Sequence, residues 1–211
     1  MQSSSLNELK VKNINFAYDD KDKLILSNVN LNIKSNEIVG LVGPSGIGKS
    51  TLAKIIAGYI TPKEGNILIN NAQVKSSKEG SPIQLIYQHP EKAVNPKWKM
   101  RKILNEWYTP DISMIQSFGI EEEWMNRWPA ELSGGELQRF CILRALSPKT
   151  KFLIADEIST MLDAITQAQI WEMLLKAAKE KNIGILVVSH NDRLLEKICT
   201  RTVEFKNINF S

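Results

Sequence analysis

The chain has 211 residues, 43% hydrophobic and 24% charged, which excludes a disordered or fibrous class and is enough for one buried core. The formal net charge of +4 comes from scattered basic residues, and the densest run, Lys97-Trp98-Lys99-Met100-Arg101-Lys102, reads as a solvated face, so nucleic acid is not expected as a partner. Cys141 and Cys199 lack the spacing of a disulfide framework or a zinc site and read as ordinary buried thiols.

Met1 to Ser5 has neither the basic nor the apolar region of a leader, and apolar runs such as Ile185 to Val188 are too short to cross a bilayer, so a cytosolic chain is expected. Leu9 to Tyr18 alternates apolar with polar, with one slip between Val11 and Ile14. Val29, Leu31 and Ile33 alternate with Asn30 and Asn32. Both patterns predict half-buried antiparallel strands. Ile38 to Val42 is instead a continuous apolar run, as are Phe152 to Ala155 and Ile183 to Val188, the pattern of parallel strands covered on both faces. After Lys49 the spacing of Leu52, Ile55, Ile56 and Tyr59 predicts one helix face, and Ala164, Ala168, Trp171, Leu175 and Ala178 predict another. Lys75 to Pro82 reads as a surface loop. From about 88 to 140 no strand pattern is seen, Trp98, Trp107, Trp124 and Trp128 cluster, and an inserted helical subdomain is expected. The whole, 1–211, reads as a single α/β domain with a parallel core and an antiparallel β subdomain.

Three short segments carry chemistry. Gly43-Pro44-Ser45-Gly46-Ile47-Gly48-Lys49-Ser50-Thr51 satisfies G-x-x-x-x-G-K-[ST] between a predicted strand and an amphipathic helix, the P-loop context. Glycines let the backbone N–H groups turn inward around phosphate oxygens, Lys49 reaches the β- and γ-phosphates, Ser50 offers a hydroxyl to Mg²⁺ and Thr51 is available to the α-phosphate. Asp156-Glu157 ends a buried strand, where open α/β sheets place their ligands; beside Mg-ATP, Asp156 would hold the metal shell and Glu157 the attacking water. Leu132-Ser133-Gly134-Gly135-Glu136 is a second glycine turn opening a helix and a second candidate anion site.

In order and spacing these segments resemble the ABC ATPase family, over nearly the whole chain from Tyr18 to His190. The resemblance implies a P-loop NTPase core and a head-to-tail dimer, homo- or heterodimeric, in which Ser133, Gly134, Gly135 and Glu136 face the ATP held by the opposite subunit. It also assigns Tyr18 to stacking on adenine, Gln88 to sensing Mg²⁺ and the lytic water, His190 to the γ-phosphate, and Asp163 to the dimer interface. Two departures stand out: Thr160-Met161 before Asp163, and His89 after Gln88.

The family resemblance further implies an ATPase coupled to transport at the cytoplasmic face of the membrane, with permease subunits and an extracytoplasmic solute-binding protein as partners. Ala93 to Lys97 is similar to importer ATPases for peptides and nickel, which ranks import above export. A non-transport ABC ATPase acting on ribosomes or DNA ranks lower, because no long coiled coil separates Ser50 from Leu132 and the chain holds one cassette. Lys49 and Glu157 both being present argues against a nucleotide-binding module without turnover.

Overall fold

A computed structural model describes residues 6–19, 23–74 and 80–210. In chain order, β1 (Glu8–Phe16) and β2 (Leu26–Lys34) form a ribbon, β3 (Ile38–Val42) leads into α1 (Lys49–Ile56), and β4 (Glu64–Ile69) turns into β5 (Ala72–Gln73). Then come β6 (Ile83–Ile86), α2 (Met100–Leu104), α3 (Ile112–Ser117), α4 (Gly134–Ala145), β7 (Phe152–Asp156), α5 (Ala164–Glu180), β8 (Gly184–Val188), α6 (Asp192–Ile198), β9 (Arg201–Glu204) and α7 (Phe205–Ile208).

Two sheets result, as the two kinds of strand pattern require. The first is antiparallel, in the order β2-β1-β4-β5; the second is parallel, in the order β6-β7-β8-β3-β9. The slip in the alternation of β1 is a bulge: Val11 pairs with Leu31, but Ile14 pairs with Val29, and Asn13 between them takes φ 51°. The extra residue returns Ile14 to the buried face. Opposite the bulge, Gly65 is at φ 98°, and a Cβ there would lie 2.5 Å from the Asn13 carbonyl oxygen, so glycine is required. The β4–β5 hairpin turns on Asn70 and Asn71, both at positive φ, as a two-residue loop matching strand twist demands.

The parallel strands are buried on both faces. Leu153, Ala155, Ile185 and Val187 point into a core shared with α4, α5 and the helical segment, whereas Phe152, Ile154, Leu186 and Val188 point into one shared with α1 and the antiparallel sheet. Alternate residues therefore serve two cores, which is why these strands read as unbroken apolar runs. Between β6 and α4 the chain is helical turns and connecting loop; Met100, Ile103, Leu104, Phe118, Trp124 and Met125 pack onto Leu137, Phe140 and Cys141 of α4. Each such large side chain, fully buried, contributes about 1.5–3 kcal/mol of transfer free energy.

Several expectations are corrected. Tyr59 lies beyond the end of α1 and is exposed, its ring edge-on to Tyr87, 5.6 Å between centroids. On α5 the buried face is Ile170, Trp171, Leu174, Ala177 and Ala178, while Ala164 and Ala168 face outward. The first turns of α5 run past the edge of the core, so small apolar residues there mark no face. Cys141 is buried but Cys199 is half-exposed. Residues 75–79 of the expected surface loop, and the Met1 to Ser5 segment, lie outside the described residues.

Candidate functional site

The phosphate loop joins the carboxyl end of β3, a central strand of the parallel sheet, to α1. Gly48 caps α1 with φ 115° and ψ 2°. A Cβ at Gly48 would sit 2.9 Å from Ile25 Cγ2 and 3.3 Å from Leu26 Cδ2 and Phe205 Cζ, so both space and dihedral exclude a side chain. The Lys49 side chain is buried and lies back along the loop, Nζ donating to the carbonyl oxygens of Gly43 at 2.6 Å and Pro44 at 2.8 Å. One step on, Ser50 Oγ donates to Asp156 Oδ1 at 3.0 Å, tying the helix start to the end of β7.

Asp156 is 9% exposed, and burial pushes its carboxyl above the usual carboxylate range; the neighbouring Glu157 charge adds to this, while the Ser50 hydroxyl, Lys54 and Lys49 oppose it. Glu157 takes φ 54°, unusual for a non-glycine residue, and is held there by its N–H donating to the Val188 carbonyl at 2.9 Å. This turn swings its side chain away from the strand and towards His190, whose Nδ1 lies 2.9 Å from Glu157 Oε1. A carboxylate only accepts, so Nδ1 carries the proton in this pair. The other oxygen, Oε2, is buried with no protein partner among the described residues.

A single open pocket of about 410 Å³ is lined by Tyr18, Ser45, Gly46, Gly48, Lys49, Ser50, Thr51, Gln88, Glu157 and His190. It brings together residues from segments far apart in sequence. Tyr18 is 63% exposed at its rim, stacked edge-on to Phe16, with its hydroxyl 3.0 Å from Thr51 Oγ1. The Gln88 amide donates to Thr160 Oγ1 at 3.2 Å. His89 faces the Glu91 carboxylate at 3.2 Å rather than the pocket.

The second glycine turn does not line this pocket. Ser133 caps α4, accepting from the Glu136 N–H, while the Glu136 carboxylate accepts from the Ser133 N–H at 2.7 Å, a reciprocal capping box. Gly134 is exposed, and Gly135 packs so closely on Thr166 that a Cβ would stand 2.7 Å from it. Asp163 caps α5, accepting from the N–H groups of Ile165 and Thr166 at 3.0 Å and from the Thr166 hydroxyl at 2.6 Å. These bonds to the charged form hold its carboxyl below the usual range. The Thr166 methyl thus links the glycine turn to the Asp163 cap on one surface.

Sequence reasoning missed three contributors. Ile25 lines the pocket beside Gly48, Thr160 holds the Gln88 amide, and Phe205, fully buried at the start of α7, packs behind both Gly43 and Gly48. The one available signal was Thr160 itself, already noted as a departure.

With this geometry in hand, the comparisons are specific. The family model described as "ABC transporter" matches residues 26–160. The nickel import ATP-binding protein NikE of Shigella boydii serotype 4 is 34% identical over 91% of this chain and 78% of its own. NikE of Escherichia coli strain K12 is 35% identical over 87% and 75%. Among solved structures, cbiO1 of Clostridium perfringens, described as part of the ABC transporter complex cbiONQ, aligns with a TM-score of 0.77 at 26% identity, covering 93% of this chain and 83% of its own. The dimeric post-hydrolysis cassette MJ0796, bound to ADP and Pi, gives 0.77 at 27% identity, covering 93% of each.

Proposed function

The chain belongs to the ABC transporter family as an ATP-binding, ATP-hydrolysing subunit, and from that premise we propose that it energises uptake of a small solute, a peptide, nickel or a metal chelate, through partner permeases. The observation that carries the substrate class is the likeness to nickel import ATP-binding proteins over nine-tenths of the chain. The Asn95-Pro96 turn supports the same branch. An extracytoplasmic solute-binding protein completes the proposed importer, which sits on the cytoplasmic face of the membrane; no helix among the described residues is long and apolar enough to cross it.

Within the pocket, Tyr18 stacks on the adenine, and the loop N–H groups with Lys49 take the phosphates, Lys49 exchanging the Gly43 and Pro44 carbonyls for phosphate oxygens. The hydroxyl of Ser50, the carboxylate of Asp156 and the amide oxygen of Gln88 form an oxygen donor set that fits Mg²⁺, which when bound would neutralise phosphate charge. Glu157 Oε2, buried with no partner among the described residues, accepts the proton of the attacking water, and His190 holds the other oxygen in place. The Ser133 to Glu136 turn, lying outside its own chain's pocket, would close over the ATP of a second subunit, with Asp163 alongside it.

The test separates the parts. Glu157→Gln is expected to bind ATP and accumulate as a nucleotide-held dimer while hydrolysis falls by about 10²–10⁴-fold; a variant that stays monomeric, with parent hydrolysis rates, refutes the assigned roles. Deleting the chain from its host should abolish ⁶³Ni²⁺ or labelled-peptide uptake. Solute accumulation in the deletion strain would indicate export instead, and copurification with ribosomes or DNA rather than membrane proteins would overturn transport.

A further inference from the structure

The basic run at residues 97–102 takes no part in the nucleotide pocket. It forms a shallow basin on α2, lined by Lys97, Trp98, Lys99, Arg101, Lys102 and Glu106. The nearby carboxylates are nearly all engaged: Glu106 with Arg144 at 3.1 Å, Glu122 with Arg101, Glu123 with Arg127 at 3.1 Å, and Glu131 with the Trp128 N–H. Lys97, Lys99 and Lys102 form no ion pair with any described residue. Two of them instead stand over indole rings, Lys102 Nζ 4.0 Å from the Trp98 ring centre and Lys99 Nζ 4.8 Å from that of Trp128. Trp128 is 45% exposed and Trp107, just beyond α2, 56%. The surface thus presents three ammonium groups without an ion-pair partner among the described residues, beside the exposed Trp128 and the half-buried Trp98.

We propose that this Lys97–Lys102 surface, with Trp98 and Trp128, rests on the anionic phospholipid headgroups of the membrane. Indoles favour the boundary between water and acyl chains, and lysines beside them are drawn to the negative surface of the cytoplasmic leaflet. A permease loop is a poorer match. Cytoplasmic loops of membrane proteins carry an excess of Lys and Arg and would meet this face with like charge. The proposal rests on the transport reading above only in placing the chain at a membrane.

The test is vesicle flotation of the isolated full chain. It should float with mixed phosphatidylcholine–phosphatidylglycerol vesicles, stay behind with pure phosphatidylcholine, and be released in about 1 M salt, where screening shortens to about 3 Å. The triple variant Lys97→Ala, Lys99→Ala, Lys102→Ala should lose partitioning on the order of 100-fold, with ATP hydrolysis unchanged. Trp128 emission should shift to the blue on wild-type binding only. Equal binding to both vesicle types, no binding, or undiminished binding by the triple variant overturns the proposal. So does a photo-crosslinker at position 97 that captures a protein and no lipid in isolated membranes. Permease copurification with the triple variant reads out the transport assignment separately.

Discussion

Gly48→Ala is the sharpest probe of the phosphate loop, because two independent features of the structure oppose it. The backbone at Gly48 has φ 115°, and the new methyl would stand 2.9 Å from Ile25 Cγ2 and 3.3 Å from Leu26 and Phe205. A left-handed backbone costs a non-glycine residue roughly 1–2 kcal/mol. Forcing a methyl into a packed site adds typically 1–3 kcal/mol. Together the strain is about 2–5 kcal/mol. It must surface either as lost stability of the free protein or as a loop displaced from its phosphate-binding shape. At about 1.4 kcal/mol per tenfold, the second route alone would weaken ATP binding by roughly 30- to 3,000-fold. Urea denaturation without nucleotide and titration with a fluorescent ATP analogue measure the two routes, and their losses should sum to the stated range. Ile25→Ala in the same chain removes the closest methyl and should restore part of the loss, the dihedral strain remaining. A Gly48→Ala protein with parent stability and parent nucleotide affinity would refute the reasoning.

Asp156→Asn separates function from stability. Burial raises the folded-state carboxyl above its unfolded value, so the ionised form is less favourable in the fold than in the open chain, and its contribution at neutral pH is destabilising. The amide should raise the melting temperature at neutral pH, the gain vanishing as the pH falls through the carboxylate range, while Mg²⁺-dependent hydrolysis drops; a lower melting temperature at neutral pH would contradict it. Trp171→Phe removes the indole N–H that donates to the buried Ser159 hydroxyl at 3.0 Å and should cost about 1 kcal/mol in urea denaturation. Burial pushes the Cys141 thiol up to about 12 and the Cys199 thiol up to about 11, so neither is ionised near neutral pH; iodoacetamide should label the partly exposed Cys199 slowly in the native chain and the buried Cys141 only on unfolding, and rapid native labelling of Cys141 would contradict the packing.

What the sequence made legible was local. The phosphate loop is one contiguous segment whose glycines, lysine and hydroxyls must follow one another, and the bulge in β1 announced itself as a broken alternation between Val11 and Ile14. The paired cores also left a mark, since strands such as β7 have no polar face to reveal. What escaped was set by distant chain. Ala164 and Ala168 sit on α5 at helical spacing yet overhang the core, and Tyr59 continues the pattern of α1 after the helix has stopped. Spacing cannot tell where the opposing surface ends. Phe205 behind the glycines, and the Thr160 hydroxyl holding Gln88, depend on packing between segments that no motif connects. The engagement of Asp163 and Glu136 in helix caps is legible in sequence, since each stands in a capping pattern ahead of an amphipathic run.

The order of the parallel sheet, with β3 between β8 and β9, has a consequence in time. The strand that delivers the phosphate loop leaves the ribosome well before its two hydrogen-bonding neighbours, which pair Ile38 with Ile185 and Val39 with Arg201 from far along the chain. Phe205, the floor under the loop, is later still. A nascent chain therefore carries the full loop sequence without the geometry that grips a phosphate, and its apolar β3 waits unpaired until β8 and β9 are made. The ability to hold ATP therefore waits on these distant strands, and ribosome-bound chains arrested before residue 201 should show none of it.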